Sequence, residues 1–162
     1  MSSANPYSDG QGLIDLAKTF MPKRVLELGT ALGYTACCLS AAGDNCTVDT
    51  IEGDPEHIRI ARDNIARLGL AGRITVHEGE FTRVMKLLPD GYDIAFFDGF
   101  APRPSLLMQL HGKLREGGVL ICANLYFAEP GCMKLLADKT YWTSIGQLEG
   151  GSTRVLAKTK LR

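Results

Sequence analysis

The sequence predicts an α/β fold with a doubly wound, mostly parallel sheet of seven strands and a C-terminal antiparallel hairpin. Five short apolar runs alternate with segments whose apolar residues recur at helical spacing. Such alternation is typical of parallel strands joined by crossover helices. Two further strand-like runs, 141–148 and 153–159, are joined by Glu149-Gly150-Gly151, and this pattern favours a hairpin.

The first element is a helix that precedes the sheet. Ser8 and Gln11 have the spacing of a capping box, which predicts that the helix begins at Ser8. Apolar residues at helical spacing follow as far as Phe20, and Pro22 ends the helix. We therefore expect one domain over 1–162, with an N-terminal helix in 1–22 and the sheet-containing core in 23–162.

The segment from Arg24 to Thr35 is predicted to be a buried strand, a glycine turn and the start of a helix. Gly29 and Gly33 lack side chains, so a ligand could approach the backbone of this turn closely. The pattern is E-x-G-x-x-x-G, in which Ala31 stands where a dinucleotide fingerprint has its middle glycine. An ordinary strand–turn–helix connection is the alternative interpretation.

The next strand, 46–51, ends at Glu52, which lies where open α/β sheets place a carboxylate for a ribose diol. Two adjacent hydroxyls are two donors, and one carboxylate offers two acceptor oxygens. A solvated loop glutamate is the alternative. The presence of the glycine turn upstream favours a ligand-binding role for Glu52.

The remaining elements follow the same alternation. Asp54-Pro55-Glu56 has the cap, proline and acidic residue that begin a helix, and Gly69 ends it. The other predicted segments are a helix at 34–42, a strand at 73–77, a short helix at 81–88, a strand at 92–98, a helix at 105–114, a strand at 119–122 and a helix at 130–138.

The composition favours a globular cytoplasmic protein. The formal net charge is zero, which disfavours a nucleic-acid partner held by a broad basic surface but leaves a local patch open. The five cysteines show no C-x-x-C spacing and lie in apolar stretches, as expected of reduced thiols. No apolar run is long enough to span a membrane, so we expect no membrane partner.

Three motifs, at 25–35, 50–56 and 92–98, resemble the class I S-adenosylmethionine-dependent methyltransferases, and more narrowly the catechol and caffeoyl-CoA type O-methyltransferases. The resemblance implies a Rossmann-like class I methyltransferase fold, S-adenosyl-L-methionine as cofactor, and O-methylation of a small-molecule hydroxyl. A methyltransferase acting on nitrogen or on a modified RNA nucleoside, and an inactive cofactor-binding protein, are the alternatives.

The resemblance also implies a set of cofactor contacts. Glu27 would brace the methionine end, Thr35 would bind the methionine carboxylate, and Asp98 would lie beside the sulfonium. Glu52 would hold the ribose. The turn residues would wrap the cofactor backbone, and two residues after the third strand would meet the adenine. The implied cofactor-binding residues are Glu27, Gly29, Thr30, Ala31, Gly33, Thr35, Glu52, Glu80, Phe81 and Asp98.

The sequence departs from the metal-dependent members of that family. They carry an Asp-x-Asp-Lys run after the fourth strand and an Asp-Asn pair after the fifth, whereas this chain has Asp98-Gly99-Phe100-Ala101 and Ala123-Asn124. We therefore predict no metal site and a metal-independent reaction, and the general base remains unassigned. His111, in the predicted 105–114 helix, is either a base in the substrate cleft or a structural residue.

The family's N-terminal lid helices are also missing from this sequence. We therefore predict a homodimer whose second copy covers the site. Aromatic residues are the candidates for the shared surface, because they are enriched at interface cores. These candidates are Tyr7, Phe20, Phe100, Tyr126 and Phe127.

Overall fold

The computed structural model describes residues 7–160, which form a seven-stranded sheet with the order β3-β2-β1-β4-β5-β7-β6. The strands are β1 (Arg24–Leu28), β2 (Thr47–Glu52), β3 (Ile74–Glu78), β4 (Tyr92–Phe97), β5 (Leu114–Cys122), β6 (Trp142–Leu148) and β7 (Thr153–Lys158). The α-helices are α1 (Gly10–Phe20), α2 (Tyr34–Ser40), α3 (Pro55–Arg67), α4 (Phe81–Met85), α5 (Pro104–Lys113) and α6 (Cys132–Ala137).

The sheet is parallel except at its C-terminal edge. β1 lies between β2 and β4, with Val25 opposite Val48 on one side and opposite Ile94 on the other. β7 runs antiparallel to both β5 and β6. The predicted fold class is therefore confirmed, and the strand order reverses between β1 and β4, where open α/β sheets bind ligands.

Helices cover both faces of the sheet because successive strand residues point to opposite sides. Val25 packs in a core with residues of α1, α2 and α3, including Leu13, Leu39 and Ile58. Leu26 belongs to the other core, which contains residues of α4, α5 and α6. This three-layer packing fixes the carboxyl ends of β1, β2, β3 and β4 along one edge of the sheet.

Several predicted boundaries differ from the observed ones, and two of these differences have a clear physical reason. The cap of α1 is Asp9, whose Oδ1 accepts a hydrogen bond from the amide of Gly12 at 2.8 Å. Ser8 instead donates its hydroxyl to Glu149 Oε1 at 2.6 Å, a contact that no local pattern could reveal. β5 begins at Leu114 and not at 119, because Leu114 already pairs with Tyr92 of β4. A register shift follows before Val119 pairs with Ile94, and Gly117, between these pairs, has a positive φ of 69°.

All five cysteines are free, and four of them are buried. Burial raises the pKa of the Cys122 thiol to about 12, so this group stays protonated at physiological pH. Among the helices of residues 7–160, none combines the length and the apolar character that crossing a bilayer requires.

Candidate functional site

The turn after β1 depends on glycine. Gly29 has a φ of 100°, and a Cβ there would lie 3.0 Å from the backbone carbonyl of Asp98. Its amide donates to the carbonyl oxygen of Ile51 at 3.0 Å, so the turn is held between the ends of β2 and β4. Gly33 and Ala31 also have positive φ values, of 88° and 45°. The predicted turn residues therefore form one compact loop with backbone open to the sheet edge.

Glu52, at the end of β2, is bonded directly to this loop. Its Oε2 accepts a hydrogen bond from the amide of Ala31 at 2.9 Å. Its Oε1 accepts from the amides of Gly53 and Asp54, at 2.9 and 3.0 Å. The carboxylate is thus fixed beside the turn, and of its roughly four acceptor positions about one stays free for a ligand.

Glu27 lies behind the loop and is fully buried. The hydroxyls of Thr35 and Thr50 donate to its two oxygens, and the hydroxyl of Thr30 lies 2.6 Å from that of Thr50. Burial raises the pKa of Glu27 to about 8, against the opposing effect of the two hydroxyl donors. These three threonines and Glu27 form a buried network that supports the turn.

Thr35 has one hydroxyl hydrogen, and that hydrogen is used in the bond to Glu27. With Glu27 ionised, a bond from this hydroxyl to a cofactor carboxylate, as the resemblance implies, would require the bond to Glu27 to break. With Glu27 protonated, its own O–H can donate to Thr35 and free the hydroxyl hydrogen. Thr35 is 4% exposed and is bonded to Glu27 behind the turn, and its contact with the methionine carboxylate stays a prediction.

The loops after β2 and β3 are also joined, because the amide of Gly79 donates to the carbonyl of Glu52 at 2.8 Å. Glu80 is exposed and caps α4, accepting from the amide of Arg83 at 3.0 Å. The ring of Phe81 packs edge-on against Phe97, with 6.3 Å between centroids. Glu80 and Phe81 thus lie at the sheet edge where Glu52 and the turn lie, as predicted from their positions.

Asp98 follows β4 and lies on the other side of the turn. Its amide donates to the carbonyl of Leu28 at 2.9 Å, and the side-chain amide of Asn124 donates to its Oδ1 at 3.3 Å. Burial raises the pKa of Asp98 to about 7, with the charge of Glu149 adding to the effect. A carboxyl with this pKa exchanges a proton readily at neutral pH.

A cleft of about 190 Å³ opens beside Asp98. Its walls come from the residues just before α1, the loops after β4 and β5, and the turn between β6 and β7. The lining residues are Tyr7, Ser8, Asp98, Asn124, Tyr126, Phe127, Glu149 and Ser152. The sequence predicts Tyr7, Tyr126 and Phe127 as candidates for a shared surface, and it does not identify Ser8 and Glu149 as wall residues.

His111 does not line this cleft. Its ring lies edge-on to Tyr141 and Trp142, with centroids at 5.6 and 4.9 Å, near the start of β6. Its carbonyl accepts from Lys158 Nζ, and burial lowers the pKa of its ring. The histidine is therefore structural, and it lies at the opposite edge of the sheet from Asp98.

Candidate metal ligands are sparse in the part of the chain that the structure describes. No group of three or more His, Cys, Asp or Glu side chains among residues 7–160 is arranged to hold a metal ion. Asp98 and Asn124 are neighbours, and Ala123 adds no side-chain ligand to them. This donor set does not fit the metal site that the family resemblance would supply.

An open sheet in which a glycine turn and a carboxylate after the second strand meet at the switch point is the arrangement of Rossmann-like class I methyltransferases. A family model described as a methyltransferase domain matches residues 26–125. The chain belongs to this family.

Individual relatives of this chain are also methyltransferases by name. The catechol O-methyltransferase of Niastella koreensis is 31% identical over 122 residues, which is 72% of this chain and 55% of that protein. That of Mycobacterium tuberculosis is 33% identical over 119 residues, or 72% of this chain and 54% of that protein. The chain thus spans about half the length of these relatives. The crystal structure of an O-methyltransferase from Bacillus cereus in complex with SAH aligns at a TM-score of 0.81 and 22% identity, covering 98% of this chain and 84% of that one.

Proposed function

We propose that this protein is an S-adenosyl-L-methionine-dependent O-methyltransferase that acts on the hydroxyl of a small molecule. The observation that carries the proposal is the hydrogen bond between Glu52 and the amide of Ala31, which joins the carboxylate to the glycine turn beside Asp98. The names of the relatives support oxygen as the acceptor atom, since two of them are catechol O-methyltransferases.

In this proposal different residues along the sheet edge bind different parts of the cofactor. Glu52 accepts a hydrogen bond from one ribose hydroxyl at its remaining acceptor position, and Glu80 and Phe81 border the adenine. The backbone of Gly29 to Gly33 lies against the methionine end, with Glu27 and Thr35 supporting it from behind. The cofactor supplies an electrophilic methyl group, and the protein orients the acceptor toward it.

Asp98 is the proposed proton acceptor. A hydroxyl becomes a better nucleophile as it loses its proton, and a carboxyl with a pKa near the working pH is suited to take that proton. Asp98 lines the cleft and also adjoins Gly29, so it lies between the proposed positions of acceptor and cofactor. Position 101 is alanine where the family has a lysine, so Asp98 takes the role of base in this proposal.

Cofactor turnover tests the function directly. The protein, S-adenosylmethionine and a panel of phenols and aliphatic alcohols should yield S-adenosylhomocysteine, measured by liquid chromatography and mass spectrometry. Binding of the cofactor without turnover on any acceptor, including amines and RNA, would favour the inactive cofactor-binding protein instead.

Replacing Glu52 by Ala should weaken cofactor binding by about 1.5–3 kcal/mol, the range for hydrogen bonds to a charged group. Titration calorimetry with S-adenosylhomocysteine measures the change. Glu116→Ala is the matched control, because Glu116 is exposed near the start of β5, at the edge of the sheet opposite the glycine turn. If the Glu52 and Glu116 variants bound S-adenosylhomocysteine with equal affinity, Glu52 would not bind the ribose.

Methyl transfer should continue in excess EDTA. The expectation rests on Ala123 and Ala101, which leave Asp98 without the partners of a divalent-ion site. The rate is measured before and after chelation, and again with Mg²⁺ restored. Loss of the rate on chelation and its recovery with Mg²⁺ would mean that waters or substrate oxygens complete a metal site.

We also propose a homodimer in which a second copy covers the open side of the cleft. Phe100 and Tyr126 support this, because they are 83% and 82% exposed. Tyr7 is excluded from the shared surface, since it is buried with its ring edge-on to Phe96. Light scattering at micromolar concentration should give twice the chain mass, and a monomer mass would refute the dimer.

The proposal places this single methyltransferase domain in the cytoplasm. The free cysteines support that location, since disulfides are rare there.

A further inference from the structure

Three amides of the turn after β1 already donate to acceptors of the protein itself. The amide of Gly29 donates to a backbone carbonyl of β2, and that of Gly33 donates to the carbonyl of Thr30, at 3.0 and 2.8 Å. The amide of Ala31 donates to Glu52 at 2.9 Å. An anionic group of a ligand needs hydrogen-bond donors, and these three are already used. The threonine hydroxyls beside the turn therefore matter for the binding of such a group.

The hydroxyl hydrogens of the buried threonine network all point toward Glu27 when Glu27 is ionised. Thr35 donates to Oε1 of Glu27, and Thr50 donates to Oε2. Because Thr50 has then given its one hydrogen to Glu27, Thr30 is the donor in the 2.6 Å contact between the hydroxyls of Thr30 and Thr50. In this state the network offers no hydroxyl hydrogen to a ligand.

A proton on Glu27 changes this arrangement through the rotation of one hydroxyl. If Oε1 carries the proton, it donates to the oxygen of Thr35, and the hydrogen of Thr35 is released at the first turn of α2. Oε2 still accepts from Thr50, so the other side of the network is unchanged. A proton on Oε2 would instead require both Thr50 and Thr30 to rotate, and it would leave the hydrogen of Thr30 at a site only 1% exposed. The route through Oε1 is therefore the simpler one.

The surroundings of Glu27 favour the protonated form. Burial is the largest cause that raises the pKa of Glu27 to about 8, and the two hydroxyl donors oppose it. The titratable groups packed around it are acids: Asp98 after β4, Glu52 at the end of β2, and the thiols of Cys37 and Cys38 in α2. The two carboxylates add to the rise in the pKa of Glu27. The thiols stay neutral at physiological pH, because burial raises their own pKa values.

We propose that Glu27 carries a proton that couples binding of the cofactor to pH, with Thr35 as the donor that this proton releases. The methionine end of the cofactor has a carboxylate, and hydrogen bonds to a carboxylate are stronger than those between neutral groups. The form in which Thr35 is free to donate therefore binds the cofactor more tightly than the form with Glu27 ionised. The proposal rests on the proposed function, since it concerns the same cofactor. Glu27 is a positioning residue, because it acts on the ligand through Thr35.

The pH dependence of S-adenosylhomocysteine binding tests the coupling. Affinity should be level below the pKa of Glu27, about 8, and should fall by up to about tenfold between pH 7 and pH 9. Glu27→Gln is the control, because its amide donates to Thr35 at every pH. Its affinity should change only as far as the ammonium of the ligand titrates, an effect that both proteins share. Calorimetry measures the affinities, and circular dichroism verifies the fold at each pH. Equal pH dependence in the two proteins, or an affinity that rises with pH in the original protein, would overturn the inference.

Variants of Thr35 test the link between the proton and the ligand. Thr35→Val keeps the shape but has no hydroxyl, so it should bind S-adenosylhomocysteine several-fold more weakly at pH 7 and lose the additional fall by pH 9. Thr35→Ser retains the hydroxyl and should keep that fall. Methylthioadenosine has no carboxylate, and its affinity for the original protein should be the same at both pH values. A fall that persists in the Val variant, or that methylthioadenosine also shows, would contradict the role of Thr35.

Binding at pH 7 separates this inference from the proposed function. If S-adenosylhomocysteine does not bind at pH 7, the cofactor assignment fails and the inference fails with it. If it binds at pH 7 and equally well at pH 9, only the inference about Glu27 is wrong.

Discussion

Asp98→Asn should lower the rate of methyl transfer by about 10²–10⁴-fold, the range that positioned acid–base groups contribute. Asparagine has nearly the same shape as aspartate but cannot accept a proton, and it can still meet the side-chain amide of Asn124 through its own oxygen. We therefore expect affinity for the cofactor to stay within a few-fold of the original protein. The measurement is the single-turnover rate with saturating cofactor and acceptor.

The pH profile separates a proton acceptor from a merely structural residue. Burial raises the pKa of Asp98 to about 7, and a base works only when it is deprotonated. The rate should thus rise with pH and level off above about pH 7, with this inflection lost in the Asn variant. Asp44→Asn serves as the control, because Asp44 is exposed in the loop before β2. A full rate in the Asp98 variant, or an unchanged inflection, would reject Asp98 as the base.

The sequence predicted the sheet and the meeting of the turn with Glu52, because both follow from local information. In a doubly wound sheet, the turn after one strand and the residue that ends the next strand lie at the same edge. The apolar runs in the sequence identify those strands, and hence the positions of the turn and of Glu52. The bond between Glu52 and Ala31 joins residues 21 apart, within one strand–helix–strand unit. Such a unit has a fixed handedness, so its ends converge predictably.

The acceptor side of the site could not be predicted in the same way. The hydroxyl of Ser8 meets Glu149 across 141 residues of sequence. Ser8 precedes a helix, so the local pattern assigned it to a helix cap. Glu149 lies between two strands, so the local pattern assigned it to a hairpin turn. Only the order of β5, β7 and β6 brings the turn to the cleft, and that order places Glu149 beside the start of the chain.

The role of Thr35 shows a related limit. Its position after the glycine turn suggests contact with a ligand, and its type suits a hydrogen bond to a carboxylate. The structure shows that a carboxylate of the protein itself, Glu27, already accepts that hydrogen bond. A motif gives the residue type at a position, but a buried partner decides which group the hydroxyl faces.

That buried carboxylate should make stability fall as pH rises. Burial raises the pKa of Glu27 from 4.5 to about 8, so between these values the folded chain holds a proton that the unfolded chain releases. The resulting stabilisation is complete below about pH 4.5 and is lost as pH rises through about 8. The slope approaches about 1.4 kcal/mol per pH unit within that window. Asp98, whose pKa is also raised, adds to the fall in the same direction below about pH 7.

Glu27→Gln isolates the contribution of Glu27 to the pH dependence of stability, because the glutamine amide has the same shape as the carboxyl group but never ionises. Its oxygen can accept from one of the two threonine hydroxyls, and its amide hydrogens can bond to the oxygen of the other. The free energy of unfolding, from urea titrations followed by circular dichroism at pH 5.5, 7 and 8.5, should fall by several kcal/mol in the original protein and much less in the variant. At pH 8.5 the Gln variant should be the more stable of the two. Equal slopes in the two proteins would mean that Glu27 is already ionised in the fold, and that its hydroxyl donors outweigh the effect of burial.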